Sequence, residues 1–150
     1  MPLSDADFKS IYARVPRLCA DLIVCTPEGV VLTLRALPTW TGLWHLPGGT
    51  IFYKEPVVDA AKRIARRELG VEIEVGKFLG YMEFPSEEEE RGFGWSVSLA
   101  LLCRVSGGTL KDKNDEASAI RAFAALPDPM VAEHRAFLGA HWDEIVGGGH

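Results

Sequence analysis

Hydrophobic stretches, several of them alternating with polar residues, mark the strands of this chain. The clearest alternation lies in VVLTLRA, where Leu32 and Leu34 share one face and Arg35 lies on the other. This period of two is the spacing of a half-buried β-strand. The segment ADLIVCT precedes it, and the turn residues PEG between them predict a hairpin. The predicted long strands are residues 20–26, 30–36, 71–84, 94–105 and 119–126.

Helical spacing and helix-end signals appear in three other segments. Ser4 is a predicted N-cap for a short amphipathic helix at the start of the chain. Pro56 fits the first position of a central helix, and Gly70 fits its end. The segments PSEEEERG and SGGTLKDKNDEAS are polar and predict loops. The predicted helices are residues 1–15, 56–69 and 130–145, followed by a flexible tail, residues 147–150.

The order of these elements predicts the fold class. The chain has 150 residues, of which 47% are hydrophobic, so it has enough apolar material for one core of its own. A helix, several strands, a central helix, further strands and a closing helix indicate a mixed β-sheet with helices packed on it. We therefore expect a single domain, residues 1–150, with an α+β or α/β/α sandwich fold.

Charge and cysteine usage narrow the partners and the compartment. The net charge of −5 gives no electrostatic reason to bind a nucleic acid polymer, so a small-molecule partner is expected. Three cysteines form no CxxC pair and predict buried thiols in a reducing compartment, the cytoplasm. No apolar run has the length of a membrane span, and the N-terminus lacks a signal pattern.

A diglycine followed by an acid-bearing helix is the segment in which we expect chemistry. Two adjacent glycines let the backbone approach a ligand closely, so Gly48 or Gly49 can offer a carbonyl oxygen to a cation. On a helix, Glu68 ends an apolar stripe that includes Ile64. A carboxylate in that position is partly desolvated, and Mg²⁺ with oxygen ligands is its natural partner beside a phosphate.

Arg63 and the residues around it also allow simpler interpretations. Its side chain can pair with Asp59 one turn back or reach Glu55 at the start of the helix. Taken singly, the diglycine segment is a turn, Glu68 is a solvated surface acid, and the pair of Arg63 with Asp59 is a weak surface contact. Their combination is what favours a site.

Taken as a set, GGTIFYKEPVVDAAKRIARRELGV resembles the Nudix box, a motif with fixed spacing of glycine, glutamate and arginine residues. The positions that match are Gly49, Glu55, Arg63, Ala65, Glu68, Gly70 and Val71, whereas Ile64 and Arg67 stand where the family usually has glutamates. The resemblance implies a Nudix-type α/β/α sandwich with a central loop-helix motif. It also implies a hydrolase in which Glu68, Arg63 and Glu55 belong to the catalytic machinery.

One branch of that family, the GDP-mannose mannosyl hydrolases, has a box that likewise lacks some of the usual glutamates and ends in Glu-Leu-Gly. The resemblance to this branch implies one Mg²⁺ or Mn²⁺ ion held by the Gly48 carbonyl, Glu68 and Glu116. It also implies that Asp21 and Arg35 contact a nucleotide sugar. Members of the branch are commonly dimers, so a homodimer is expected.

Two positions depart from that branch. Ala117 stands where the branch has a catalytic histidine, and Thr50 replaces an arginine directly after the diglycine. Asp115 and Glu116 lie in the right loop to supply a carboxylate base instead. Among the histidines, His45 is expected to pack beside Trp44, and the spacing of seven predicts one helix face for His134 and His141. The run Glu87–Glu90 predicts a solvated loop tip, with closure over a site as the alternative.

Two functions are compatible with these patterns. The first is a Mg²⁺-dependent Nudix hydrolase of a nucleoside diphosphate linked to another moiety, with a nucleotide sugar as the expected substrate. The second is a Nudix domain that binds a nucleotide without hydrolysing it and acts as a regulatory module. The missing loop histidine and the arginine at position 67 favour the second, and the retained Glu68 favours the first.

Overall fold

The computed structural model describes residues 3–147, so most of the predicted tail lies outside the described residues. Among these residues the structure has four helices and seven strands, one helix more than the sequence predicts. The helices are α1 (Asp5–Tyr12), α2 (Val57–Ile64), α3 (Ser86–Arg91) and α4 (Ala132–Gly147). The strands are β1 (Arg17–Thr26), β2 (Gly29–Arg35), β3 (Trp44–His45), β4 (Gly48–Thr50), β5 (Val71–Glu83), β6 (Ser96–Gly108) and β7 (Ala117–Phe123).

Strand β1 organises a mixed sheet with the order β3-β2-β1-β6-β5. It runs parallel to β6 and antiparallel to β2, which it meets only beside the predicted hairpin turn. Strand β4, which carries the diglycine, pairs with the middle of β1. Strand β7 pairs with β2, with an irregularity between Leu34 and Arg35. The mixed sheet confirms the predicted fold class.

Alternation along the strands produces two hydrophobic layers. Leu22 and Val24 pack with residues of α2 on one face of the sheet, while Ile23 packs with Leu138 of α4 on the other. Burial of apolar area on both faces supplies the main drive for this α/β/α arrangement. Among residues 3–147, no helix is long and apolar enough to cross a membrane.

Two local predictions need correction. The polar run after β5 is not an open loop, since residues Ser86–Arg91 form α3 and Glu87 is 1% exposed. The central helix is not α-helical to its end, because Ala65–Leu69 form a π-helical turn that Gly70 closes in a left-handed conformation. Single π-turns are rare and frequently mark functional sites. Here the π-turn carries Glu68.

Candidate active site

The diglycine strand β4 lies against β1 so closely that only glycine fits at position 48. Asp21 pairs with Gly48 in the antiparallel register. A Cβ atom at position 48 would lie 1.9 Å from Asp21 Oδ1 and 2.7 Å from the Ala20 carbonyl oxygen. Glycine is therefore required here by a close approach of backbone and carboxylate, as the sequence predicts.

Glu68 reaches this strand from the π-turn. The backbone N–H of Gly48 donates a 3.1 Å hydrogen bond to Glu68 Oε2. Burial above all, together with the carboxylates of Glu116 and Asp21, raises the pKa of Glu68 to about 8, against the lowering effect of the Gly48 hydrogen bond. Three carboxylates thus crowd one end of β4, and a cation would relieve their repulsion.

Asn114 joins the end of the central helix to the loop that carries Glu116. Its Nδ2 donates to the Glu68 carbonyl oxygen at 2.9 Å. Its Oδ1 accepts 2.7 Å hydrogen bonds from the backbone N–H groups of Glu116 and Ala117. One side chain therefore fixes the position of the Glu116 loop relative to Glu68. Sequence reasoning missed it, although the Asn-Asp pair is a recognisable turn signal.

Of the predicted loop residues, the structure places Glu116 along the cavity and Asp115 outside it. Asp115 is exposed and does not line the cavity, whereas Glu116 does. Glu116 accepts a 3.1 Å hydrogen bond from Arg67 Nη2, a pair that is 63% and 42% exposed. Ala117 is buried at the position where the related branch has its histidine.

This donor set fits a hard divalent cation. Within residues 3–147, no group of three or more His, Cys, Asp or Glu side chains is arranged to hold a metal by itself. Two carboxylates with a backbone carbonyl of the diglycine are nevertheless oxygen donors of the kind that Mg²⁺ prefers. Mg²⁺ usually keeps several waters and takes one or two carboxylates, so a full side-chain cage is not needed.

Glu55 and Arg63 lock the diglycine strand to helix α2. Arg63 donates to both carboxylate oxygens of Glu55, at 2.8 and 3.0 Å, and to the Thr50 carbonyl oxygen at 2.8 Å. Its guanidinium carbon lies 3.9 Å from the ring centroid of Phe52. The hydrogen bonds from Arg63 lower the pKa of Glu55. Of the two predicted partners of Arg63, the structure has Glu55 rather than Asp59.

A buried histidine on α4 holds Asp21 in place. The Leu46 backbone N–H donates to His134 Nδ1 at 3.0 Å, so this nitrogen is unprotonated. Nε2 therefore carries the hydrogen and donates it to Asp21 Oδ2 at 3.1 Å. The prediction that His134 and His141 share one helix face missed this contact, since the partner of His134 is 113 residues away in sequence.

His45 lines the same cavity as a neutral side chain. Its Nδ1 lies 2.7 Å from the Leu46 carbonyl oxygen and its Nε2 lies 3.0 Å from Thr33 Oγ1. Burial, with His134 and Arg35 nearby, lowers its pKa to about 3. Both ring nitrogens have partners, so His45 is held by Thr33 and Leu46, whereas Trp44 packs against Phe123 outside the cavity.

These groups border one cavity of about 840 Å³. Arg35 lines it from the end of β2, where its Nε donates to the Thr39 carbonyl oxygen. Its guanidinium carbon lies 5.7 Å from the Trp40 ring centroid. Burial lowers the pKa of Arg35, and so do Arg91 and Arg17. The predicted substrate residues Asp21 and Arg35 therefore share a cavity with Glu68 and Gly48.

The end of the cavity near α1 contains a buried ion-pair cluster. Glu87 of α3 accepts from Ser96 Oγ at 2.7 Å, from Arg17 Nη2 at 3.2 Å and from Arg91 Nη1 at 3.1 Å. The prediction of a solvated loop tip is therefore wrong for Glu87. Glu88, Glu89 and Glu90 are exposed, as predicted, so within the run only Glu87 lines the cavity.

Comparison with known families identifies the family of this chain. A model of the NUDIX domain matches residues 15–146 of the chain. The chain belongs to the Nudix family. This confirms the predicted family, and it confirms that the protein is a hydrolase of the Nudix type.

Two curated relatives are similar to this Nudix domain. Low-salt glycan biosynthesis protein Agl8 of Haloferax volcanii is 35% identical over 115 residues, covering 76% of this chain and 72% of Agl8. Human 8-oxo-dGDP phosphatase NUDT18 is 32% identical over 110 residues, covering 70% of this chain and 32% of NUDT18. The chain thus spans about a third of NUDT18.

Solved structures show the same Nudix fold. A MutT NUDIX hydrolase from Burkholderia pseudomallei superimposes with a TM-score of 0.75 at 25% identity, covering 84% of this chain and 98% of that one. The NUDIX domain of NrtR from Shewanella oneidensis, in a complex with ADP ribose, has a TM-score of 0.68 at 21% identity, covering 95% and 99%. This likeness supports the fold.

Proposed function

We propose that this Nudix hydrolase cleaves a nucleotide sugar with the help of one Mg²⁺ or Mn²⁺ ion. The observation that carries the proposal is the convergence of Glu68, the Gly48 backbone and Glu116 at one end of the cavity. Carboxylates that repel one another beside a glycine strand are suited to a hard cation and to the phosphates that accompany it.

The residues that would hold the ion are Glu68, Glu116 and the Gly48 carbonyl. A bound Mg²⁺ would neutralise the diphosphate and stabilise the nucleotide as a leaving group. The chain itself contributes the positions of these ligands: Asn114 fixes the Glu116 loop, and Arg63 with Glu55 fixes strand β4. Asp21, held by His134, and Arg35 contact the substrate in the neighbouring part of the cavity.

A sugar as the linked moiety is supported by one relative and by the shape of the site. The relative that is 35% identical is a glycan biosynthesis protein by name. The cavity extends from Glu68 past Arg35 to helix α1, and about 840 Å³ lies within the usual range for ligand sites. The space beyond the metal end can therefore hold a second moiety.

A carboxylate of the 114–116 loop is the proposed base that activates water. Asp115 and Glu116 are both candidates, and raising the Mg²⁺ concentration separates their roles. Loss of a metal ligand is partly restored by excess Mg²⁺, whereas loss of a base is not. Asp115→Asn and Glu116→Gln should thus be compared across a Mg²⁺ titration.

The proposal is tested with Glu68→Gln and a panel of substrates. The panel contains GDP-mannose, UDP-glucose, ADP-ribose and 8-oxo-dGDP, each with Mg²⁺ and with EDTA. We expect turnover of a nucleotide sugar only with Mg²⁺, and a fall in kcat/KM on the order of 10³-fold in Glu68→Gln. Glu72→Gln is the matched control, because Glu72 is an exposed partner of Arg66 outside the cavity.

A second measurement identifies the bond that is broken. In oxygen-18 water, label in the released sugar means attack at carbon, and label in the phosphate means attack at phosphorus. We expect label in the sugar. Preference for 8-oxo-dGDP over every nucleotide sugar would refute the proposed substrate class. Full activity in EDTA would refute the proposed dependence on a metal ion.

A further inference from the structure

The α1 end of the cavity carries more positive charge than its acids neutralise. Arg17 and Arg91 are both paired with the single carboxylate of Glu87, and their side chains are only 16% and 19% exposed. Arg35 lies close enough that both arginines lower its pKa. Arg17 and Arg91 thus share one buried carboxylate, which leaves this cluster with a net positive charge.

These guanidinium groups retain donors that the protein does not use. Among residues 3–147, Arg91 donates a hydrogen bond only through Nη1, to Glu87, although a guanidinium has five N–H groups. Arg17 donates once each from Nε, Nη1 and Nη2, to Ser96, Thr50 and Glu87, which leaves two N–H groups. Arg17 and Arg91 both line the cavity, so a ligand there can accept from them.

An unpaired hydroxyl on the cavity floor points to the same place. Ser98 is 1% exposed and lines the cavity, and its Oγ has no hydrogen-bond partner among the described residues. Strands β1 and β6 pair Arg17 with Ser96 and Cys19 with Ser98. Ser98 therefore lies two residues along β6 from Ser96, on the same face of the sheet. A buried hydroxyl without a partner is costly, and a bound polar group would satisfy it.

This region is separate from the metal end of the site. Gly48 contacts Glu68, whereas Thr50, two residues along β4, contacts Arg17 at 2.8 Å. Two residues of strand span about 7 Å. An anion bound at the arginines would therefore lie further along the cavity than a phosphate beside Glu68.

We infer that Arg17, Arg91 and Ser98 form a subsite for an oxyanion, a carboxylate or phosphate ester, on the moiety linked to the nucleoside diphosphate. The inference rests on the proposed function and refines its substrate class from a neutral sugar to an acidic one. Guanidinium groups with low exposure bind oxyanions strongly, because charge-assisted hydrogen bonds gain strength away from water. Glu87 holds both arginines at the cavity when no anion is bound.

The subsite is tested first without any reaction. Calorimetric titrations of wild-type protein in EDTA use inorganic phosphate in one arm and glucuronate in the other. Arg91→Gln should weaken binding about tenfold to hundredfold, since it removes a charged donor. Glu87→Gln should tighten it, because the internal carboxylate no longer competes. Arg104→Gln is the matched control, as Arg104 is an exposed partner of Glu74 away from the cavity.

Ser98→Ala keeps the test valid if the arginine variants unfold. The change deletes an unpaired buried hydroxyl, so the free protein should melt at the same temperature or higher, while the stabilisation by phosphate or glucuronate becomes smaller. The inference is overturned if neither anion binds in EDTA, or if binding is the same in Arg91→Gln, Ser98→Ala and wild type. If phosphate binds more tightly than glucuronate, the oxyanion is a phosphate ester; if glucuronate binds more tightly, it is a carboxylate.

Turnover then separates this inference from the proposed function. The nucleobase is the one preferred in the substrate panel above. A nucleoside diphosphate hexose with this nucleobase is compared with the corresponding hexuronic acid, which differs only by the carboxylate. Arg91→Gln should lower kcat/KM about tenfold or more for the acidic substrate and less than about threefold for the neutral one. An equal loss for both overturns the inference. Oxyanion binding without turnover of any substrate means that the proposed function has failed and the subsite stands.

Discussion

Replacing Asn114 with alanine should separate the two carboxylates of the proposed metal site. The side chain of Asn114 holds the Glu68 carbonyl oxygen with its amide nitrogen and the backbone of Glu116 and Ala117 with its amide oxygen. The Glu68 carbonyl belongs to the π-turn, where the regular i→i−4 pattern is interrupted. Asn114 therefore supplies a bond that the helix itself does not.

The magnitude follows from three hydrogen bonds of 2.7 to 2.9 Å. At about 1 kcal/mol each, their loss lowers the free energy of unfolding by about 3 kcal/mol at most, since water reaches part of this loop. The expected effect on Mg²⁺ affinity is of similar size in free energy. Groups that orient metal ligands usually change metal affinity about tenfold to hundredfold when they are mutated.

Asn114→Asp divides the two functions of this side chain. An aspartate at position 114 can still accept hydrogen bonds from the backbone N–H groups of Glu116 and Ala117, but it cannot donate to the Glu68 carbonyl. Mg²⁺ affinity, measured from the metal dependence of kcat/KM and by titration calorimetry, should fall in both variants. The free energy of unfolding, measured in urea, should fall further in Asn114→Ala than in Asn114→Asp.

One result would refute this reasoning. If Asn114→Ala lost about 3 kcal/mol of stability while its Mg²⁺ dependence stayed that of the wild type, the link between Glu68 and Glu116 would be structural only. Lys113→Ala serves as the control for a change in the same loop, because Lys113 is exposed and its side chain has no recorded contact among residues 3–147.

Three further predictions test the surroundings of the site. Arg63→Lys removes the bidentate contact with Glu55, so we expect the free energy of unfolding in urea to fall by about 1 to 2 kcal/mol and kcat/KM to fall about tenfold. Unchanged kinetics would contradict the view that this contact positions strand β4 for catalysis. The pKa of His45, lowered to about 3, lies below the value of about 6.5 for an unfolded chain, so stability is lost as the pH falls from about 6.5 towards 3. His45→Gln cannot titrate, so between pH 7 and pH 4 it should lose about 3 kcal/mol less than wild type, and equal losses would contradict this assignment. A double-mutant cycle of His134→Ala and Asp21→Asn should give a coupling energy of about 1 to 3 kcal/mol in urea unfolding, whereas additive changes would mean that the two side chains act separately.

The parts of this structure that sequence predicted are those with local causes. The apolar residues of VVLTLRA mark strand β2, although both of its faces are buried rather than the one that the alternation predicts. The helix signals at Pro56 and Gly70 mark the central helix within a residue or two. The resemblance to the Nudix box, rather than local spacing, singled out Gly48 and Glu68, and the structure joins them through a hydrogen bond from the Gly48 N–H.

The parts that sequence missed depend on partners far along the chain. Glu87 sits in a run of four glutamates that predicts a solvated loop, yet Arg17, 70 residues earlier, brings it into the interior. The same holds for His134, whose tautomer and position depend on Asp21 and on the Leu46 backbone. Neither side chain carries a local signal of its partner, so no periodicity could have revealed it.

The charges around Glu68 suit the proposed site for a single metal ion. Ile64 stands where a glutamate is usual, and it packs 3.7 Å from the Cβ position of Gly49, so this position belongs to the core. With a cation bound, Glu68, Glu116 and Asp21 would carry three negative charges. Arg67 and the nearby Arg35 carry two positive charges, so the balance before the cation is counted is negative and suited to a divalent ion. The pair of Arg67 with Glu116 is largely exposed and thus worth about 0 to 1 kcal/mol, so it opens easily when Glu116 binds a cation. Arg67→Gln should accordingly leave the fold intact and tighten Mg²⁺ binding, whereas weaker binding would show that the arginine orients Glu116 rather than competing with the ion.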